Sequence, residues 1–172
     1  TKGEGIEGTY ILGNDFSELL EKKGIKKSLI NNVKFYKRKI SVINEEKIAA
    51  ENGANALHDV TEGGVYGAVK EMAVASGLGF EIYKDQVIIN EETDKICKAL
   101  DLDPLGLISS GSMLIAVNNG EQLANKLNSQ GIKASVIGEF QKNGKYIVND
   151  SGNKMKLKSK NQDELWRFLE NN

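Results

Sequence analysis

The fold is decided by a stretch of eight residues, Leu57-His58-Asp59-Val60-Thr61-Glu62-Gly63-Gly64. It joins an apolar run that predicts a strand, residues 54–57, to an amphipathic helix pattern over residues 65–76. The backbone N–H groups at the start of a helix have no partner within it, and the helix dipole favours negative charge there. The sequence therefore predicts a polar turn where a phosphate, or a metal-bound phosphate, can sit.

Alternating strand and helix patterns extend from this motif to both ends of the chain. Residues 1–12 are predicted to be a glycine-rich interdomain arm that ends in a strand, and residues 13–172 to be one domain. The order of elements predicts an α+β fold, a layered α/β/α domain with a mixed sheet. The predicted helices are 15–23, 41–51, 65–76, 91–100, 121–129 and a last one capped by Asp163. The predicted strands are 54–57, 80–83 and 112–117. Residues 134–140 and 146–150 are predicted to form a β-hairpin around the turn Asn143-Gly144.

Composition limits the classes of partner. The net charge of −1 gives no global field that would attract nucleic acid or a membrane surface, so neither is expected as a partner. The local basic clusters 22–27, 34–39 and 154–160 are interpreted as solvated faces. No run reaches the ~20 apolar residues of a membrane span. The single Cys97 excludes an internal disulfide and, with no signal peptide, predicts a cytoplasmic protein; its place in a predicted helix indicates a core residue.

The polar side chains of the motif suit magnesium better than zinc. One histidine and one distant cysteine cannot supply the three or four nitrogen or sulfur ligands of a zinc site. Asp59 and Glu62 are hard oxygen ligands of the kind that Mg²⁺ shares with substrate phosphates. Helix capping by Asp59 or Thr61 is the alternative. For His58, a functional and a structural role remain equally open.

Two other glycine-containing stretches are weaker candidates. Ser110 and Gly111 lie in a polar turn before the apolar run 112–117, and this turn either contacts a polar ligand or is simply solvated. Residues 3–8 fit the pattern G-x-G-x-x-G, but the dinucleotide fingerprint requires a preceding strand and a helix that opens at the third glycine. We therefore interpret residues 3–8 as a flexible or partner-paired arm.

The motif residues also carry a family resemblance. The string 58–68, continuing through Glu71-Met72-Ala73, resembles the helix entry in the C-terminal domain of aminoimidazole ribonucleotide synthetase-related proteins. Residues 1–9 resemble the junction that leads out of the family's N-terminal domain, and 103–117 and 136–138 resemble later blocks. The superfamily includes the purine-pathway synthetase and amidotransferase, selenophosphate synthetase, thiamine-monophosphate kinase and the hydrogenase-maturation dehydratase.

The resemblance implies an ATP-dependent parent protein that transfers a phosphoryl group to an amide or carboxyl oxygen. It implies ATP and Mg²⁺ as cofactors, a cleft shared with the N-terminal domain of the same polypeptide, and a homodimer in the parent. The isolated chain is expected to be inactive. The residues implied are Asp59 and His58 as catalytic residues, Asp59 as metal ligand, and Thr61, Glu62, Gly63, Gly64, Ser110 and Gly111 as cofactor contacts.

This chain departs from the family's plan in two ways. The N-terminal domain, and with it the family's nucleotide ligands, is absent from the chain. The wording of the motif is nearest to the hydrogenase-maturation branch. That branch is expected to end in a cysteine, whereas this sequence ends Leu169-Glu170-Asn171-Asn172, so carbamoyl dehydration is not expected. The first alternative function is a non-catalytic binding or regulatory domain that keeps the fold. The second is a structural dimerisation module. The sequence does not identify the substrate.

Overall fold

The first strand and the fifth helix frame the motif in a computed structural model that describes residues 3–149, 151–157 and 162–171. Three short 3₁₀ turns, Tyr36–Lys39, Lys84–Gln86 and Pro104–Gly106, lie between the main elements. The helices are α1 (Ile6–Asp15), α2 (Ser17–Lys22), α3 (Lys27–Val33), α4 (Ile43–Glu51), α5 (Gly64–Ser76), α6 (Glu91–Leu100), α7 (Gly120–Ser129) and α8 (Glu164–Glu170). The strands are β1 (Ala54–Val60), β2 (Gly79–Tyr83), β3 (Ser112–Val117), β4 (Gly138–Gln141), β5 (Lys145–Val148) and β6 (Lys154–Lys156).

The strands form two sheets. Strands β1 and β3 are an antiparallel pair in which His58 lies opposite Leu114 and Val60 lies opposite Ser112. The second sheet has the order β4-β2-β5-β6, with β2 and β5 parallel and the other neighbours antiparallel. Helices α4 and α7 pack on the β1–β3 pair, and α5 contacts both sheets. The predicted α+β fold with a mixed sheet is confirmed.

The predicted hairpin between residues 134–140 and 146–150 is wrong. Strands β4 and β5 do not pair with each other, because β2 lies between them. Their connection crosses the start of β2, where the Phe80 N–H donates to the Gly144 carbonyl oxygen at 2.8 Å. A Cβ at Gly79 would overlap the Gly144 backbone, so the missing side chain allows this crossing. The Asn-Gly turn is present, but it spans a third strand.

The predicted strand at the end of the N-terminal arm is also wrong, because residues Ile6–Asp15 form helix α1. The side chains of Ile6, Thr9 and Leu12 follow the helical spacing and are fully buried. The glycines permit this packing: a Cβ at Gly8 would overlap Leu107, and one at Gly13 would overlap Val33. Burial of one helix face therefore outweighs the strand propensity of residues 9–12. A role for residues 1–12 between two domains stays a prediction.

The other helices and strands that the sequence predicts lie close to their predicted positions. Helix α6 and strand β3 have the predicted bounds, and α4, α5, α7 and β2 begin within two residues of the predicted positions. Asp163 caps α8 as predicted, because its Oδ1 accepts the Leu165 N–H at 2.7 Å. Helix α2 begins at Ser17 after Phe16, and not at Asp15.

Three clusters of buried side chains hold the elements together. The first joins α1, α2, α3, α6 and α8; it includes Cys97, which is 1% exposed, as predicted for a core residue. The second lies between α5 and both sheets, and the third joins α4 and α7 to the β1–β3 pair. Among the described residues, no helix combines the length and apolar character needed to span a bilayer.

Helix α1 can be tested as part of the core. We expect Leu12→Ala to lower the free energy of unfolding by about 2–5 kcal/mol, because it leaves a cavity around a fully buried side chain. Asn14→Ala, at an exposed position of the same helix, should cost less than about 1 kcal/mol. Urea unfolding followed by circular dichroism measures both. Similar losses for the two variants would contradict a packed α1.

Candidate functional site

The motif turn is shorter than predicted. Strand β1 continues to Val60 because β3 pairs with it as far as Ser112, so His58 and Asp59 lie on the strand and not in the turn. The turn proper is residues 61–63, closed by a bond from the Gly64 N–H to the Thr61 carbonyl oxygen at 3.1 Å.

Both glycines of the pair have backbone conformations that other residues rarely adopt. Gly63 has φ +80° and Gly64 has φ +58°. Gly64 is also tightly enclosed, since a Cβ there would lie 2.6 Å from the Leu105 carbonyl oxygen. The glycine pair is therefore required for the entry into α5, whether or not a ligand binds.

The fold brings the two predicted polar turns together. The Ser109 N–H donates to the Thr61 carbonyl oxygen at 3.3 Å. The hydroxyls of Ser109 and Ser112, 3.0 Å apart, are buried and bind the N-terminal segment: Ser109 Oγ accepts the Gly5 N–H at 2.7 Å, and Ser112 Oγ donates to the Gly3 carbonyl oxygen at 2.7 Å. These two serines join the motif to the start of α1.

The two predicted contacts in the second turn have different surroundings. Ser110 is half-buried. Gly111 is buried with φ +104°, and a Cβ there would lie 2.6 Å from the Lys39 carbonyl oxygen, so it packs on the backbone of Lys39 and Ile40. Contact of Ser110 and Gly111 with a cofactor stays a prediction.

Two carboxylates of the chain itself occupy the start of α5. The Gly63 N–H donates to Asp163 Oδ2 at 2.6 Å, and the Val65 N–H donates to Glu4 Oε1 at 2.8 Å. These acceptors satisfy N–H groups that the sequence assigned to phosphate. Sequence reasoning found Asp163 only as a cap of α8 and missed Glu4 altogether, because these residues lie 100 and 61 positions away from their donors.

Burial raises the pKa of both Glu4 and Asp163. Removal from water raises the pKa of Glu4 to about 8, although the bond from the Val65 N–H opposes the shift. Burial likewise raises the pKa of Asp163 above its usual range, against bonds from Gly63 and Leu165. The start of α5 therefore has a pH-sensitive acid at its centre.

The remaining polar side chains of the motif are half-buried, as at His58 and Thr61, or exposed, as at Asp59 and Glu62. His58 Nε2 is 2.7 Å from Glu71 Oε2, and its Nδ1 is 3.6 Å from Asp59 Oδ1. The side chain of Asp59 is 64% exposed, so its carboxylate is open to a ligand. Glu62 Oε1 accepts the Trp166 indole N–H at 2.9 Å.

The described residues contain no group of three or more His, Cys, Asp or Glu side chains placed to hold a metal ion. Asp59 can supply one oxygen ligand, as Mg²⁺ requires when phosphates and waters complete its shell.

A cavity of about 1140 Å³ lies between the two sheets. Strands β1 to β4 and helices α5 and α7 line it, mostly with apolar side chains, and His58 and Glu71 contribute polar atoms. The His58–Glu71 pair therefore faces this space on one side.

These features can be set against known proteins. The family model described as AIR synthase related protein, C-terminal domain, matches residues 2–151. The chain belongs to this family. The recognition made from the motif residues is thereby confirmed.

Curated relatives match over about half of the chain. The carbamoyl dehydratase HypE of Escherichia coli is 37% identical over 91 residues, which are 51% of this chain and 27% of that protein. HypE of Rhodobacter capsulatus is 33% identical over 95 residues, 53% of this chain and 28% of the relative. The matched regions thus span less than a third of these proteins.

Solved structures extend the likeness over most of the chain. A crystal structure of E. coli HypE superimposes with a TM-score of 0.74 and 29% identity, covering 96% of this chain and 50% of that one. A thiamine monophosphate kinase from Aquifex aeolicus has a TM-score of 0.59 at 19% identity, with coverage of 91% and 50%, and shows the shared fold alone. The chain spans half the length of both proteins.

The raised pKa of Glu4 predicts that the free energy of unfolding depends on pH. Below pH 4.5, the ordinary pKa of a glutamate, the Glu4 carboxyl is protonated in both the folded and the unfolded protein. Above pH 4.5 the unfolded chain loses this proton, whereas the folded protein keeps it up to about pH 8. The stability that Glu4 contributes is therefore full at low pH and is lost as the pH rises through this window. Relative to Glu4→Gln, which stays neutral, the wild type should lose about 2–4 kcal/mol of unfolding free energy between about pH 5 and pH 8.

Urea titrations at several pH values measure this difference. Glu18→Gln, at an exposed glutamate on α2, is the control and should follow the wild-type pH dependence. Parallel pH profiles for wild type and Glu4→Gln would show that Glu4 ionises normally in the folded protein.

Proposed function

We propose that this chain is the C-terminal part of an ATP-dependent protein of the hydrogenase-maturation type. In this proposal it forms one wall of a cleft whose other wall is an N-terminal domain of the same polypeptide. ATP, with Mg²⁺, would supply the phosphoryl group that is transferred to an amide or carboxyl oxygen. The intact protein would be a homodimer, and the chain alone would be inactive.

One observation carries the proposal. An exposed carboxylate, Asp59, lies beside two polar turns that a Ser109–Thr61 hydrogen bond joins into one surface. The family match and the 29% identity to E. coli HypE over nearly the whole chain support this reading. A HypE structure holds ATP and a structure of AaThiL holds AMPPCP, which shows that proteins of this fold bind such nucleotides.

The residues fit a supporting role better than a complete nucleotide site. Asp59 would hold or orient the metal-bound phosphate, and His58, already bonded to Glu71, would fix the direction of Asp59. Thr61, Glu62 and the glycine pair would shape the wall near the phosphates. A second domain would supply further ligands, since the described residues include no group of three or more His, Cys, Asp or Glu side chains placed to hold a metal ion.

The alternative is a binding or regulatory domain without chemistry, and a specific observation favours it. The Gly63 and Val65 N–H groups already donate to Asp163 and Glu4. A phosphate would have to displace these carboxylates before it could use the same donors. A domain that has lost nucleotide binding would keep such internal contacts.

Titration calorimetry with Mg-ATP tests the shared cleft. We expect weak or no binding to this chain alone and clear binding to a polypeptide that also contains the upstream half, because one wall gives too few ligands. Tight binding by the chain alone would refute the shared cleft. Absence of binding in both would favour the non-catalytic domain.

A single substitution tests the role of Asp59. In the longer polypeptide, Asp59→Asn should lower ATP turnover by about 100-fold or more, because phosphoryl transfer depends on charge neutralisation and positioning. Asp85→Asn, at an exposed position in a 3₁₀ turn, is the matched control and should leave turnover unchanged. Unchanged kcat and KM for Asp59→Asn would remove Asp59 from the site.

A further inference from the structure

Charge is distributed very unevenly along this chain. Residues 22–39, here called the basic segment, contain eight basic residues and no acidic ones. The other 154 residues contain 15 basic and 24 acidic residues. The basic segment therefore has a net charge of +8, and the rest of the chain has a net charge of −9. All eight side chains are exposed: Lys22, Lys23, Lys26, Lys27, Lys34, Lys37, Arg38 and Lys39.

The fold holds these cations close together. They form two groups at the ends of α3, whose seven residues span only ~10 Å. This distance is about one Debye length at physiological salt, so the two groups act together on a charged surface. Ile30 and Val33 anchor α3 in the first core cluster. The nearest acidic residues before the segment are Glu18 and Glu21 on α2.

Large apolar side chains are exposed beside the second group of cations. Phe35 is 57% exposed, Ile40 is 37% exposed and Ile43 is 71% exposed. The Arg38 guanidinium lies 5.4 Å from the centre of the Phe35 ring. The backbone at residues 39–40 packs on Gly111, which fixes this stretch against the domain.

The combination of clustered lysines and exposed apolar side chains favours an anionic lipid surface as the partner over single-stranded nucleic acid or another protein. Single-stranded nucleic acid needs accessible aromatic rings for stacking. Within the basic segment Phe35 is the only accessible ring, since Tyr36 is 3% exposed. Protein interfaces are depleted in lysine, yet seven of the eight cations are lysines. An anionic lipid surface attracts lysine clusters and also accepts exposed hydrocarbon side chains at its interface.

We propose that the basic segment, with Phe35, Ile40 and Ile43, docks this domain on an anionic phospholipid surface. The cations face the headgroups, and the three apolar side chains enter the interfacial layer. The acidic remainder is repelled by the same surface, so the domain is oriented with the basic segment towards it. None of the motif residues 57–64 belongs to this surface, and its backbone meets the predicted cofactor contacts only where Gly111 packs on Lys39 and Ile40.

Vesicle co-sedimentation tests the proposal with the chain as it is. The protein should bind vesicles of phosphatidylcholine containing about one third phosphatidylglycerol, and should not bind pure phosphatidylcholine. Replacing Lys37, Arg38 and Lys39 together by Gln should weaken binding by about 100-fold, at roughly fivefold per charge near the surface. No binding to the anionic vesicles would overturn the proposal.

A matched control separates the basic segment from overall charge. The triple variant Lys95→Gln, Lys98→Gln and Lys126→Gln removes the same charge from exposed positions on α6 and α7. It should change vesicle binding by less than about threefold. An equal loss in both triple variants would show that net charge alone drives binding and would overturn the role of the segment. Circular dichroism checks that all variants stay folded.

The apolar part of the proposal has its own test. Ile43→Ser should weaken vesicle binding by about tenfold, and this loss should persist at high salt, where charge attraction is screened. A labelled oligouridylate is the competing probe. Tighter binding of the oligonucleotide, with no effect of Ile43→Ser on either ligand, would identify a nucleic-acid surface instead and would overturn the lipid proposal.

Discussion

The backbone N–H groups at the start of α5 need hydrogen-bond acceptors, and several distant parts of the structure provide them. Helix α5 begins at Gly64, after the short turn 61–63, and its first N–H groups need acceptors from outside the helix. Burial makes a missing acceptor costly. Glu4 from the N-terminal segment and Asp163 from the start of α8 provide these acceptors. Both ends of the described chain therefore meet at the motif. Ser109 and Ser112 strengthen this junction, because their hydroxyls bind the residues on either side of Glu4.

The same contacts bear on function. The start of a helix that attracts carboxylates also attracts phosphates, so in the proposed function the internal acceptors and a nucleotide would compete for one set of donors. The high pKa of Glu4 shows how unfavourable a buried negative charge remains there, even with a backbone donor beside it. Asp59, by contrast, is exposed on the neighbouring strand and is free of this competition. In the proposed function, the chemistry of the wall would therefore depend more on Asp59 than on the glycine turn.

Local structure could be predicted where one segment decides its own conformation. Asp163 caps α8 as predicted, because capping acts within a few residues. The apolar run of β3 likewise indicated its strand with the correct bounds. Predictions failed where distant segments compete. Residues 9–12 favour a strand, yet burial of Leu12 in the first core cluster, which includes Val33 and Leu107, stabilises a helix instead. The Asn143-Gly144 turn was located, but the strand that separates its two arms was not.

The sequence by itself determined the strand-turn-helix motif, the α+β class and the family, because each depends on short patterns of residue type. Only the tertiary structure decided which acceptors fill the start of α5 and that His58 is bonded to Glu71. It also decided that the two polar turns are neighbours and that the basic segment is exposed beside hydrocarbon side chains. The hydrogen bonds among these contacts join residues up to 100 positions apart. Such pairings arise from the packing of whole elements, which no local pattern specifies.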